Sequence, residues 1–254
     1  MSAVIISKHW SSELSVVLDF NRANISATAL NVAINELIEA SESPEENVRK
    51  YLGASTIGSE CLRRVQYDWM VDPEHPSRTR DIFRRGHLFE ALTREHFIRA
   101  GFTFAPADRL GFSAVNGLFR GHADGIFTAG PALPGVGYPC IWEHKALGRK
   151  GWRDIERDGL EASYPHYAAQ VAIYQAYLDV VEHPAIFTAV NADTCERLHL
   201  LVPFNAEHAQ LWSDRAVTII EATRAGELLP RITDDRDDWR RKMCGHRERC
   251  WQNE

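Results

Sequence analysis

Long apolar runs are missing from this 254-residue chain. Nothing approaches the roughly 20 residues a membrane-spanning helix needs, so an integral membrane protein is not expected. Residues 1–17 lack a basic region followed by a long apolar one. No secretory leader is expected there, and a cytoplasmic protein is the default. Cysteine is scarce and odd in number, at five, which argues against a disulfide framework in a chain of this length. Positive charge is also short: the net charge is −6, so a polyanion would not be held by bulk charge alone. Histidines at HxH or HExxH spacing, internal repeats and low-complexity tracts are all lacking. What remains is 44% hydrophobic and 25% charged residues, an ordinary composition for a globular protein that buries a real core.

Local basic clusters do occur: Arg63-Arg64, residues 78–85 ending in Arg85, Arg149-Lys150 with Arg153, and Arg240-Arg241-Lys242 with Arg247 and Arg249. Any one of them reads as a solvated face; together they could line a groove that tracks phosphates.

Residues 1–50 read as a polar, helical extension. Leu30, Ala33, Ile34, Leu37 and Ile38 are spaced for a helix over 27–40, and an acidic loop follows over 41–46. From residue 51 the pattern is denser. Helices are expected over 59–70 and 77–100, the second stopped by Gly101. Strands are expected over 102–112, 118–128 and 140–147. A helix over 164–180 opens on Pro165. Strands over 185–190 and 197–203 precede a helix over 206–225 that ends at Gly226. A polar, basic, cysteine-containing tail covers 228–254. This order points to an α/β (α+β) domain over 51–254 with a mixed sheet flanked by helices.

The most informative segment is Gly121-His-Ala-Asp124 followed by Glu143-His-Lys145. Residues 129–139, with three Gly and three Pro, form the loop between them. Side chains alternate along a strand, so Glu143 and Lys145 share a face, and Asp124 joins them if the strands pair in register. On an exposed hairpin Glu143 and Lys145 would be a simple charge pair. Here Ile141, Trp142, Ala146 and Leu147 flank them, so the strand is at least half buried and its charges need a partner or a metal. Two carboxylates and an ammonium at one spot can bind a hard divalent cation and position a water beside it. A paired-carboxylate enzyme of another kind, such as a glycosidase, would leave the lysine unexplained.

Two helices carry related patterns. Gly86 and Glu90 lie one turn apart in the helix over 77–100, where a glycine would allow close approach to another backbone. Gln170 and Tyr174 lie one turn apart in the helix over 164–180, sharing a face with Tyr167 and Tyr177. The set Gly86-x-x-x-Glu90, Gly121-x-x-Asp124, Glu143-x-Lys145 and Gln170-x-x-x-Tyr174 resembles the PD-(D/E)XK nuclease superfamily in its RecB-like branch, over roughly residues 51–254. The resemblance implies a restriction-endonuclease-like core and Mg²⁺- or Mn²⁺-dependent cleavage of DNA. It implies exonuclease action in recombination or repair, of the phage type, beside a strand-annealing or recombination protein. Glu90, Asp124 and Glu143 would hold the metal with the backbone carbonyl of His144, and Lys145 would orient or help deprotonate the attacking water. Gln170, Tyr174, Arg85 and Arg149 would contact the substrate. A catalytically inactive DNA-binding module, or a subunit of a recombination complex, is the alternative. Oligomeric state and strand polarity stay open.

Some RecB-like nucleases carry an iron–sulfur cluster on one early and three late cysteines. Cys61, Cys244 and Cys250 fall in that frame, while Arg241 stands where a fourth thiolate belongs. The site is ordinary packing, or a fourth ligand such as His246 completes a zinc or unusual cluster site, or the cysteines are unrelated.

Overall fold

The computed structural model describes residues 29–41, 50–71 and 77–252. The chain divides into two units, 1–44 and 45–254. In the first, helix α1 (Ala29–Ser41) is described; its Leu30, Ile34, Leu37 and Ile38 are exposed. The rest of the extension expected over 1–50, and most of its acidic loop, lie outside the described residues. Among the described residues no helix is long and apolar enough to cross a membrane.

The second unit is a mixed α/β structure. In chain order it contains β1 (Leu52–Gly53), α2 (Leu62–Met70), α3 (Ser77–Arg99), β2 (Thr103–Phe104), β3 (Gly111–Ala114), β4 (Phe119–His122), β5 (Gly125–Ala129) and β6 (Cys140–Leu147). Then follow α4 (Arg149–Asp158), α5 (Leu160–Ser163), α6 (Pro165–Tyr177), β7 (Ala185–Asn191), β8 (Arg197–Val202), α7 (Ala206–Ala225), α8 (Trp239–Lys242) and α9 (Arg247–Trp251). Five strands form one sheet in the order β2-β5-β6-β7-β8. Only β6 and β7 pair in parallel there, and α4 to α6 supply the crossover such a pair requires. A smaller sheet has the order β1-β4-β3.

The central strands show why the pattern folds this way. All of β7 is buried, as a strand covered on both faces must be, while edge strand β8 alternates. Along β6 the period of two sorts the side chains. Cys140 and Trp142 enter an aromatic cluster with Phe102, Phe127, Phe97 and Phe104 on the α3 side. Ile141 and Leu147 join the main core with Ile173, Phe187 and Ile219 on the α6 and α7 side. Helix α7 starts on Asn205, whose side chain accepts the His208 N–H, and stops at Gly226, left-handed with φ 73°.

Three features depart from the sequence reading. The strand-like run 118–128 is two strands in two different sheets, broken at Ala123-Asp124, where the Ala123 N–H turns to the Leu110 carbonyl. The run 102–112 is likewise broken, by a 3-10 turn at Ala107–Arg109. Helix α4 was not anticipated, because only Trp152 and Ile155 of its ten residues are buried, too sparse a stripe to mark a helix.

Candidate active site

Strand β6 lies antiparallel to β5 with Gly125 opposite Trp142, which brings the preceding Asp124 beside Glu143 and His144. The His144 N–H donates to Asp124 Oδ2 at 2.7 Å. Lys145 Nζ donates to Glu143 Oε1 at 2.5 Å and stands 4.0 Å from Asp124 Oδ2. Asp124, Glu143 and Lys145 are thus brought together. Glu143 is 0% exposed, and its second oxygen, Oε2, is buried with no hydrogen-bond partner.

These surroundings set the charges. Burial, then the Asp124 carboxylate, pushes the Glu143 carboxyl up to about 8. Burial opposes the charge on Lys145, but Glu143 and Asp124 outweigh it and hold the ammonium above the ordinary lysine range. Glu90, on α3, is raised by burial and then by Asp124. Three carboxyl groups therefore share one ammonium, and their mutual repulsion favours proton retention on Glu143 and Glu90.

Glu90 is close enough to feel this field, yet its carboxylate lies 3.6 Å from His87 Nδ1. Among the described residues, no three His, Cys, Asp or Glu side chains stand within ligating reach of one another. The three-carboxylate cage expected from the sequence is not preassembled. The donors that are present fit a hard cation held by one or two carboxylates, with water and phosphate completing its shell: Glu143 Oε2 is a buried carboxyl oxygen without a partner, beside Asp124 and Lys145.

The two motif glycines differ. A Cβ on Gly121 would lie 2.5 Å from the Phe112 ring and 2.6 Å from Tyr174, so only glycine fits. A Cβ on Gly86 would meet nothing within 4 Å, so the close helix approach expected there is not made.

Gln170 and Tyr174 also depart from expectation. Gln170 Nε2 donates to Tyr174 Oη at 3.0 Å, and Tyr174 is 2% exposed. No ring face is open for a base to stack on. Burial, then Glu143, raises the Tyr174 hydroxyl. Arg149 is exposed in the first turn of α4, and Arg85 is half-buried with its Nε lacking an acceptor.

Four contacts had no sequence signal. Lys145 Nζ lies 5.3 Å from the Tyr167 ring. Arg94 Nη1 donates to the Asp124 carbonyl at 3.4 Å while its guanidinium sits 3.9 Å over Phe104. Thr93 Oγ1 is 3.3 Å from His144 Nε2. Burial pushes the His144 imidazole down to about 3, so the ring is neutral. Its tertiary partners come from distant parts of the chain, which local patterns cannot show.

At the cysteine corner, no three His, Cys, Asp or Glu side chains among the described residues are grouped to hold a metal. The C-terminal tail does fold back on α2: the His246 ring lies tilted at 5.5 Å from Tyr67 and bonds Asp68 at 2.7 Å. All five cysteines are free. Cys61 Sγ caps α2 by accepting the Arg64 N–H at 3.4 Å. Burial, foremost, raises the Cys244 thiol, with Cys61 adding to it. His246 is engaged by Asp68, and Arg241 points its guanidinium at Trp251, 5.3 Å away, alongside Arg231 at 4.0 Å and Arg236 at 5.1 Å. Neither a four-ligand iron–sulfur site on Cys61, Cys244 and Cys250 nor a zinc site completed by His246 is assembled. The corner is packed as ordinary structure.

No family model matches the chain, and no curated protein matches it. Among solved structures it is similar to an alkaline exonuclease (LHK-Exo) from Laribacter hongkongensis, at 13% identity and TM-score 0.49, over 70% of this chain and 90% of that one. The structure of LHK-Exo in complex with dAMP gives 12% identity and TM-score 0.48, over 69% and 89%. The structure of SSO0001 gives 16% and 0.38, over 85% and 91%. With every TM-score below 0.5, none of these likenesses bears on the chemistry, which has to come from this chain's own residues.

Proposed function

We propose that this chain is a divalent-cation-dependent deoxyribonuclease of the PD-(D/E)XK type, acting from DNA ends. The observation that carries the reading is the buried, unpartnered Oε2 of Glu143 beside Asp124, with Lys145 fixed on the same spot. A buried carboxyl that ionises only when a counter-charge arrives, next to a positioned ammonium, is what a cation and a phosphodiester would engage together.

Asp124 and Glu143 would hold Mg²⁺ or Mn²⁺, with the His144 carbonyl and Glu90 completing the protein's share. Such a cation supplies Lewis-acid polarisation of the phosphate and lowers the pKa of water at the site. Lys145, held as an ammonium by its two carboxylates, is suited to orienting the attacking water and offsetting phosphate charge rather than to acting as a base. In-line attack on phosphorus then breaks the P–O3′ bond and leaves a 5′-phosphate and a 3′-hydroxyl. Arg85, on α3 before Glu90, and Arg149, just beyond β6, are assigned to DNA phosphates. The Gln170–Tyr174 pair supports the site. Exonuclease action, the RecB-like branch and a place in recombination or repair rest on the four-motif resemblance.

The test is cleavage of end-labelled linear and of circular DNA with Mg²⁺, Mn²⁺ or EDTA, beside Lys145→Ala. Cation-dependent loss of linear DNA alone, abolished by the substitution, is expected. Cutting of circles would make it an endonuclease. No cleavage of either would leave a DNA-binding module.

A further inference from the structure

Helix α3 runs for 23 residues and fully buries only one of them, Thr93, at 2% exposure. A helix lying on a sheet normally buries an apolar stripe. Here the one fully covered side chain carries a hydroxyl, which is costly to bury unless it is hydrogen-bonded. Its partner is His144 Nε2, 3.3 Å away. His144 is itself 4% exposed and sits between Glu143 and Lys145 on β6, with its ring on the opposite face of the strand from theirs.

The same residue holds one carboxylate directly and touches the helix that carries another. Its backbone N–H holds Asp124 Oδ2 at 2.7 Å. Its ring holds Thr93, which follows Glu90 by three residues and so lies one turn along the same side of α3. The next residue, Arg94, bonds the Asp124 carbonyl at 3.4 Å. Glu90, Asp124 and Glu143 come from a helix, a bend and a strand, and two of the polar ties between those elements, from Thr93 and from Asp124, meet at His144.

We propose that His144 is a positioning residue. Through Thr93 it sets the height of Glu90 on α3, and through its N–H it sets Asp124, so that a cation at Glu143 can draw in both carboxylates. This rests on the cation-site reading above. The hydroxyl is not needed to dock α3: Phe97 already meets Phe102, Phe127, Trp142 and His199 edge-on at 4.8–5.6 Å.

The experiment uses the full chain and Thr93→Val, Thr93→Ser, His144→Gln and Asp124→Asn. It reads Mn²⁺ affinity by calorimetry, melting temperature without cation, and cleavage of end-labelled DNA at saturating Mn²⁺. Thr93→Val is expected to weaken Mn²⁺ binding and to lower kcat by about tenfold each, the usual effect of removing a group that orients ligands, with KM for DNA within about twofold. Its melting temperature should stay near that of the wild type, Thr93→Ser should restore both losses, and His144→Gln should show the same loss of affinity. Wild-type affinity in Thr93→Val overturns the proposal. So does a loss that Thr93→Ser fails to repair, since that marks packing alone. Asp124→Asn separates the levels. If it abolishes Mn²⁺ binding while Thr93→Val changes nothing, the cation site stands and the positioning role falls. If it also binds as the wild type does, both fall.

Discussion

The carboxylate corner and the cysteine corner of the larger unit are both built from polar residues at motif spacing, and they are finished differently. Around β6, Glu143 is wholly buried, one of its oxygens has no partner, and neighbouring carboxylates outnumber the single ammonium. Around α2 and the tail, three recognisable groups are engaged within the protein: Cys61 caps a helix, His246 holds Asp68, and Arg241 bonds the Arg236 carbonyl and lies over Trp251, with its Nε left unpartnered. A motif whose groups satisfy one another is structure. A motif left short of a counter-charge is arranged around something else.

Four variants would break or sharpen that contrast. Lys145→Ala should cost the most, lowering cleavage of end-labelled DNA by roughly 10²–10³-fold, as losing a preorganised charge-stabilising donor does. If it cleaves normally, the carboxylate corner is not the reacting centre.

Glu143→Gln should abolish Mn²⁺ binding in calorimetry and also change stability. An unfolded glutamate ionises near 4.3, while the folded group holds its proton up to about 8. Between those values the unfolded chain releases a proton that the folded one keeps, so this group's contribution to stability falls as pH rises. Without cation, melting temperatures of wild type and Glu143→Gln should therefore diverge from pH 5 to 8, with the variant the more stable at pH 8. In the wild type, Mn²⁺ affinity should climb by up to about tenfold per pH unit and level off above the Glu143 value, because binding displaces its proton. A flat profile would mean that Glu143 is not the ligand.

Trp251→Ala should destabilise by about 1–2 kcal/mol through its arginine contacts, measured by urea denaturation, with cleavage unchanged. Cys61→Ser with Cys244→Ser should have the smallest effect, about 1 kcal/mol or less, and purified protein should contain no stoichiometric iron or zinc. Bound metal that both serines remove would erase the contrast.

The sequence showed some of this and hid the rest. The period of two in β6 exposed the Glu143–Lys145 pair, because a buried strand tolerates charge only for a reason. Helix α3 was legible to within a residue at its C-terminal end, since its spacing and Gly101 mark it locally. The break at Ala123-Asp124 was not: both halves have strand composition, and the switch depends on a bond to Leu110 that local pattern cannot contain. Helix α4 was hidden by its charge. The burial of Tyr174 was hidden for a related reason, since an aromatic stripe reads alike whether it lines a cleft or closes a core.

Asp124 occupies the bend where the chain leaves the three-stranded sheet and enters the five-stranded one. A cation shared by Asp124 and Glu143 would therefore stitch one sheet to the other at the seam. Its binding energy would be felt as rigidity across both sheets, and slowed amide exchange in β3 and β4, away from the carboxylates, would be its mechanical signature.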